Sequence, residues 1–271
     1  MLGHSFYGAH VRANGIRQHY LHFPGPGPAI VIVPGIVSTA ALWQHVGIFL
    51  QEAFDVHILD VRGRGLSEQG DHLDYRVDSC AADLRAFVDA LELCSPVVIG
   101  HSMGARIVAR FASRGGNAAR AILLDPPCSG PGRRPYPIAM DRTLRMVEAS
   151  RRGEGESYLR SPAVTPWPDP LLRQRAEWLA TCDPRAVREA YLDFQEQDFH
   201  SDVVDMSCPV TLVVAQSSGV ILSEDVAELE TRRPGIEIIM AEGVAHQMQA
   251  ENVEVFFTLL KKILSFNFSE K

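Results

Sequence analysis

Hydrophobic positions along the chain fall into two textures that alternate. Short, mainly apolar runs occur at Ala29 to Val33, Val56 to Leu59, Pro96 to Ile99, Ala121 to Leu124, Val210 to Ala215 and Ile236 to Met240, the first of them unbroken. They read as strands, and the continuous run Ala29 to Val33 fits one that is covered on both faces. Between them, apolar residues recur at helical spacing, as in Ala81, Leu84, Val88 and Leu91, or in the stretch Met103 to Ser113. Such spacing predicts helices with one buried stripe. Strand alternating with helix predicts a mostly parallel sheet with helices on both faces. The start of the chain differs. Ala9 to Arg12 and Ile16 to Phe23 flank Asn14-Gly15, a dipeptide that accepts the positive φ angles of a two-residue turn, so an antiparallel pair precedes the parallel strands. Eight strands are expected in all.

Residues 126–206 break the alternation. Prolines and glycines crowd Pro126 to Pro137, and helical stretches follow at about 139–151, 171–181 and 185–197 without a strand signal between them. The expected organisation is a core of residues 1–125 and 207–271, with a helical lid at 126–206 inserted after strand six. Ser38, Asp78 and Ser223 stand where helix caps are needed and are read as caps.

Composition narrows the partners. A chain of 271 residues that is 46% hydrophobic can bury one large core. Its net charge of -7 is spread without a basic stripe, which argues against nucleic acid and against an anionic membrane surface. No apolar stretch has membrane-spanning length, and Met1-Leu2-Gly3-His4-Ser5 lacks the basic-then-apolar order of a secretory leader, so the expected location is cytoplasmic. Five scattered cysteines without C-x-x-C spacing read as reduced packing residues. His19 and His22, three apart in a strand, point to opposite faces and make no metal site together. The loop Asp60 to Ser67 lacks the Gly-Lys-Ser/Thr ending of a phosphate loop; its glycines are turn formers and Arg62 is structural.

The chemistry centres on Gly100-His101-Ser102-Met103-Gly104, the single G-x-S-x-G in the chain, with a strand before it and a helix after it. A strand reversing directly into a helix leaves no room beside the turn residue, which explains glycine at 100 and 104 and pushes Ser102 outward. A serine hydroxyl is a weak nucleophile, so a histidine must take its proton and a buried carboxylate must hold that histidine's tautomer. His246, beyond the last strand, is the candidate base. The carboxylate is expected from Asp125, at the C-terminal end of strand six, because Gln216 to Val220 after strand seven holds none. Glu224 and Asp225 fall in a first helical turn, where acids answer the helix dipole. Backbone N–H groups of Ile36, after Pro34-Gly35, and of Met103 are the expected oxyanion donors. This chemistry calls for no metal or organic cofactor.

Ser, Asp and His in that order, an antiparallel start and the Gly100 to Gly104 turn together resemble the α/β-hydrolase fold over nearly the whole chain. A narrower resemblance lies in Ala13-Asn14-Gly15-Ile16-Arg17-Gln18-His19-Tyr20-Leu21, Leu59 to Ser67, Asp125 to Arg134 and Arg175-Ala176-Glu177-Trp178-Leu179, which look like the N-formylmaleamate deformylases of bacterial nicotinate degradation. One departure is Ala245, where a glycine usually precedes the late histidine. The resemblance implies a serine amidohydrolase that releases formate from a small unsaturated half-amide carrying a carboxylate. Such a substrate needs a fixed cation, expected from Arg133 or Arg134 at the start of the lid, with Arg106 one helical turn beyond Ser102 as another source, and with Trp167 or Trp178 as an apolar wall. A carboxylesterase or C–C bond hydrolase, and a non-hydrolytic receptor or cofactor-free oxygenase of the same fold, are the competing readings.

Overall fold

The computed structural model describes residues 5–161 and 167–265; residues 1–4, residues 162–166 of the expected lid, and residues 266–271 lie outside the described residues. Eight strands form one sheet: β1 (Tyr7–Ala13), β2 (Ile16–Phe23), β3 (Ala29–Val33), β4 (Asp55–Leu59), β5 (Val97–His101), β6 (Arg120–Leu124), β7 (Val210–Ala215) and β8 (Glu237–Ala241), in the order β1-β2-β4-β3-β5-β6-β7-β8. The β1–β2 and β2–β4 pairings are antiparallel and the rest are parallel. Asn14 at φ 51° and Gly15 at φ 76° make the hairpin turn that the dipeptide predicts. Chain order reverses direction between β3 and β5, so a crevice opens outside the C-terminal ends of these two neighbours.

Alternation within each apolar run divides the core in two. Val31, Val33, Val98 and Leu123 face α2 (Val77–Ala90) and α3 (Met103–Ser113), while Ile30, Ile32, Ile99 and Ile122 face α1 (Gln44–Leu50) and the closing helix at Val253–Leu264. Each of these side chains is at most 1% exposed, and each such burial contributes about 1.5–3 kcal/mol against leaving it in water. No helix among the described residues is long and apolar enough to cross a membrane.

Between β6 and β7 the described residues hold five helices and no strand: α4 (Met140–Arg151), α5 (Gly155–Leu159), α6 (Asp169–Leu179), α7 (Pro184–Glu196) and α8 (Phe199–Asp205). The short α5 and α8 are not predicted, since one or two turns carry too few positions to show a period. Two buried arginines of α3 fasten this insert to the sheet. Arg106 donates to the carbonyls of Pro127 and Ser129 at 2.8 Å and of Gln197 at 2.7 Å, and Arg110 pairs with Asp202 at 2.8 Å. Three caps differ from expectation because tertiary partners take the role. Thr39 precedes the 3-10 turn Ala40–Trp43, and Ser38 Oγ accepts from the Trp43 indole instead. Val77 opens α2 by donating to Asp193 of α7, so Asp78 lies inside the helix and pairs with Arg110. Ser223 begins α9 (Ser223–Arg232), and the N–H of its N-cap, Leu222, is taken by Asp225.

Candidate active site

Ser102 sits between β5 and α3 with φ 54° and ψ -119°, a backbone conformation that costs about 1–3 kcal/mol and persists only where the surroundings impose it. Those surroundings are backbone. A Cβ on Gly104 would stand 1.9 Å from the Val33 carbonyl oxygen, and one on Gly100 would stand 2.4 Å from the Gly104 carbonyl oxygen. The Ser102 N–H is itself tied to the Leu124 carbonyl at 2.9 Å, which locks the turn to the end of β6. Asp125 follows directly, also at positive φ (45°), with its N–H on the Val213 carbonyl.

These two turns meet the loop after β8. Ser102 Oγ lies 3.0 Å from His246 Nε2, and His246 Nδ1 lies 2.7 Å from Asp125 Oδ2. The other Asp125 oxygen accepts from the Ala215 N–H and the Ser218 hydroxyl, both at 3.2 Å. The loop after β7, which holds no carboxylate of its own, therefore supplies donors to the carboxylate from β6. With Nδ1–H committed to Asp125, the Nε2 lone pair is left facing the serine hydroxyl. His101 steadies the loop: its Nε2–H donates to the His246 carbonyl at 2.7 Å, and burial together with the neighbouring His246 pushes its pKa down to about 3, so it stays neutral. Ser102, Asp125 and His246 are 2%, 0% and 8% exposed, a setting in which an imidazolium–carboxylate contact is weakly screened.

A cavity of about 230 Å³ opens onto Ser102 and His246. Gly35 and Ile36 form one rim, while Met103 opens α3, where the first N–H groups have no intrahelical partner. Opposite lie side chains of the insert, Tyr136, Arg142, Met146, Trp167 and Arg175, with Glu251 at the side. Tyr136 places its hydroxyl 3.1 Å from His246 Nε2. Arg175 of α6 stacks 4.3 Å above the Trp167 ring and its nearest acceptor is the Met146 sulfur at 3.4 Å. Among the described residues no carboxylate pairs with it, and burial pushes its pKa down to about 10. Glu251, whose carboxyl burial holds above the usual range, accepts from the Ala245 N–H and so shapes the turn where glycine is usual.

The arginines expected at the substrate do not reach this cavity. Arg133 pairs with both oxygens of Glu228, at 2.6 and 2.8 Å, and Arg134 pairs with Asp225 and the Val220 carbonyl. Arg106 is spent on the carbonyls of the insert. Trp167 lines the cavity, whereas Trp178 packs against the core cluster around α1. Tyr136 and Arg175 are the residues that reading the sequence overlooked. For Arg175 a signal exists: on α6 it shares the buried stripe with Leu172 and Leu179, where an unpaired charge is out of place. Among the described residues two side-chain clusters have donor atoms within 4.8 Å of one another, as a cation would require: His22 with Asp55 and His57, and Cys128 with His200 and Asp225. In each the carboxylate is already engaged, Asp55 by both imidazoles and Asp225 by Arg134 and Leu222, and neither cluster lines the cavity.

The sheet order, the turn at Ser102 and the late histidine define the class: the chain belongs to the alpha/beta hydrolase fold family, which its residues 28–166 match. Within that family it is similar to the N-formylmaleamate deformylase of Pseudomonas putida strain KT2440, at 43% identity over 251 residues, 92% of this chain and 93% of that protein. The crystal structure of the N-formylmaleamic acid deformylase from Pseudomonas putida S16 matches with a TM-score of 0.89 at 43% identity, covering 94% of this chain and all (100%) of that one. A more distant relative is the 2-(acetamidomethylene)succinate hydrolase of Mesorhizobium japonicum, 25% identical over 260 residues, 89% of this chain and 88% of that protein.

Proposed function

We propose that this hydrolase cleaves the C–N bond of a small anionic N-acyl amide, N-formylmaleamate, to give maleamate and formate through a formyl-enzyme. One observation carries the reading: the hydrogen-bonded chain Ser102–His246–Asp125 opens onto the same small cavity as a buried arginine that has no carboxylate partner. An unpaired buried charge costs several kcal/mol, and a carboxylate on the ligand offsets that cost. The planar guanidinium of Arg175, held 4.3 Å from the centre of the Trp167 ring, can bind both oxygens of such a group. Two relatives whose names specify N-acylated dicarboxylic substrates support the same class.

In this reading Ser102 attacks the formyl carbon while His246 takes its proton and Asp125 stabilises the resulting imidazolium. The N–H groups of Ile36 and Met103 hold the oxyanion. The C–N bond breaks, His246 returns the proton to nitrogen, and a water activated by the same histidine releases formate. The segment 126–206 acts as the lid that brings Arg175 to the cavity, where it holds the carboxylate end of the substrate. Purified protein incubated with N-formylmaleamate should release one formate per maleamate at a turnover on the order of 10 per second, followed by a coupled formate assay. Turnover of neutral 4-nitrophenyl acetate in the absence of any formate release from N-formylmaleamate would make the protein an esterase instead.

A further inference from the structure

Tyr136 enters the cavity from the segment between β6 and α4 and is 6% exposed. Its hydroxyl is 3.1 Å from His246 Nε2, the nitrogen that also lies 3.0 Å from Ser102 Oγ. That nitrogen has one lone pair, because the other ring nitrogen is committed to Asp125, so only one of the two hydroxyls can donate to it. With the serine proton placed there, the phenol's own proton is left for another acceptor in the cavity. The ring is held edge-on by Tyr191 and Phe194 of α7, with centroids at 5.9 and 5.6 Å, and Tyr191 pins the adjoining backbone by donating to the Ile138 carbonyl at 2.8 Å. Burial raises the phenol's pKa, with the Asp125 charge adding to the effect, so Tyr136 is a neutral donor throughout the neutral range.

Position decides what this donor serves. A leaving group must approach His246 Nε2 to collect its proton, and Tyr136 stands beside that nitrogen, whereas the oxyanion faces Ile36 and Met103. We propose that Tyr136 is a catalytic residue that donates a hydrogen bond to the departing group at the oxygen that takes up its charge, which is the carbonyl conjugated with the leaving nitrogen in the amide and the leaving oxygen in an aryl ester. The inference rests on the N-formyl amide reading above. As the Ser102 Oγ–carbon bond forms and the oxyanion collapses, the C–N electron pair retreats onto nitrogen and spreads to the neighbouring maleamate carbonyl. His246 delivers the proton taken from Ser102 to the nitrogen, and Tyr136 keeps its own proton throughout. A fixed donor aimed at charge that develops only in the transition state contributes on the order of 100-fold.

Tyr136→Phe removes one oxygen and keeps the ring against Tyr191 and Phe194. Rates are normalised to the fraction of serine that gives an acylation burst, so a loss of folded protein does not enter them. The test measures kcat/KM for N-formylmaleamate and for a series of aryl formates with leaving groups of rising pKa. Expected are a fall of about 100-fold on N-formylmaleamate, a change of less than about threefold on 4-nitrophenyl formate, and a steeper dependence of rate on leaving-group pKa in the variant. Equal losses on every formyl donor would reduce Tyr136 to positioning Ser102 and His246, and unchanged rates would remove it from the reaction; either result overturns the proposal. If the wild type releases no formate from N-formylmaleamate, the functional reading fails, while the aryl formate slopes still judge Tyr136 separately.

Discussion

The two walls of the cavity are built on opposite terms. The wall made by the strand ends is internally satisfied: Ser102, His246 and Asp125 bond to one another, the second Asp125 oxygen is taken by Ala215 and Ser218, and both turn residues are locked by backbone contacts. The wall made by the insert gives Arg175 a sulfur and an aromatic face as direct contacts, with the Glu251 charge acting on it only from beyond ion-pair distance. A second buried arginine makes the contrast sharper. Burial pushes Arg106 down to about 10 as well, but its guanidinium is surrounded by four carbonyls of the insert. The same residue type is a fastener where backbone carbonyls satisfy it and a candidate binding group where no oxygen acceptor among the described residues does. Burial alone does not separate the two roles; the inventory of acceptors does.

The comparison can be broken most directly at the satisfied wall. Ser102→Ala should lower kcat by at least about 10,000-fold with the fold intact, since it removes the acyl acceptor and almost no volume. Survival of activity within about tenfold, with no contaminating enzyme, would place the chemistry elsewhere. Asp125→Asn should cost roughly 1,000-fold or more in kcat by releasing the histidine tautomer, whereas Glu224→Gln should leave kcat near wild type. If Glu224→Gln proved the more damaging, the acid would return to the region after β7.

The fastener and the binding arginine should then part company in what they damage. Arg106→Met leaves the Pro127, Ser129 and Gln197 carbonyls without their donor and should lower stability by about 3 kcal/mol, read as a drop in the denaturation midpoint at unchanged slope. Arg175→Met removes an unpaired buried charge, so its melting temperature should equal or exceed that of wild type. Its KM for the anionic amide should nevertheless rise about 100-fold, with hydrolysis of a neutral ester within about threefold. Added maleate should raise the melting temperature of the wild type and not of this variant. A variant that loses stability and both activities together would make Arg175 a second fastener. The smallest effect is expected at Arg133→Met, which loses a half-exposed ion pair with Glu228 and should change KM by less than about threefold.

The sequence by itself determined the parts that depend on local periodicity and on backbone space. Mainly apolar runs marked the parallel strands, most fully at β3, whose residues are nearly all buried, and least at the edge strand β8, where Glu237 and Met240 are exposed, and Asn14-Gly15 marked the hairpin because its φ angles suit few other pairs. Gly100 and Gly104 marked the turn at Ser102 because any side chain there meets backbone. Chain order also located Asp125 and His246 at strand ends, since the loops after β6 and β8 leave the sheet at the edge that carries Ser102. Tertiary structure alone decided which side chains of the insert reach the cavity. Arg133 and Arg134 follow Asp125 closely in sequence, yet Glu228 and Asp225, about ninety residues on, draw them to the outside. Arg175 and Tyr136, far apart in the chain, line the cavity that opens onto Ser102. The physical reason is the range of the forces: periodicity and steric exclusion act over a few residues, whereas the partner of a charge is set by whichever acceptor folding brings within about 3 Å.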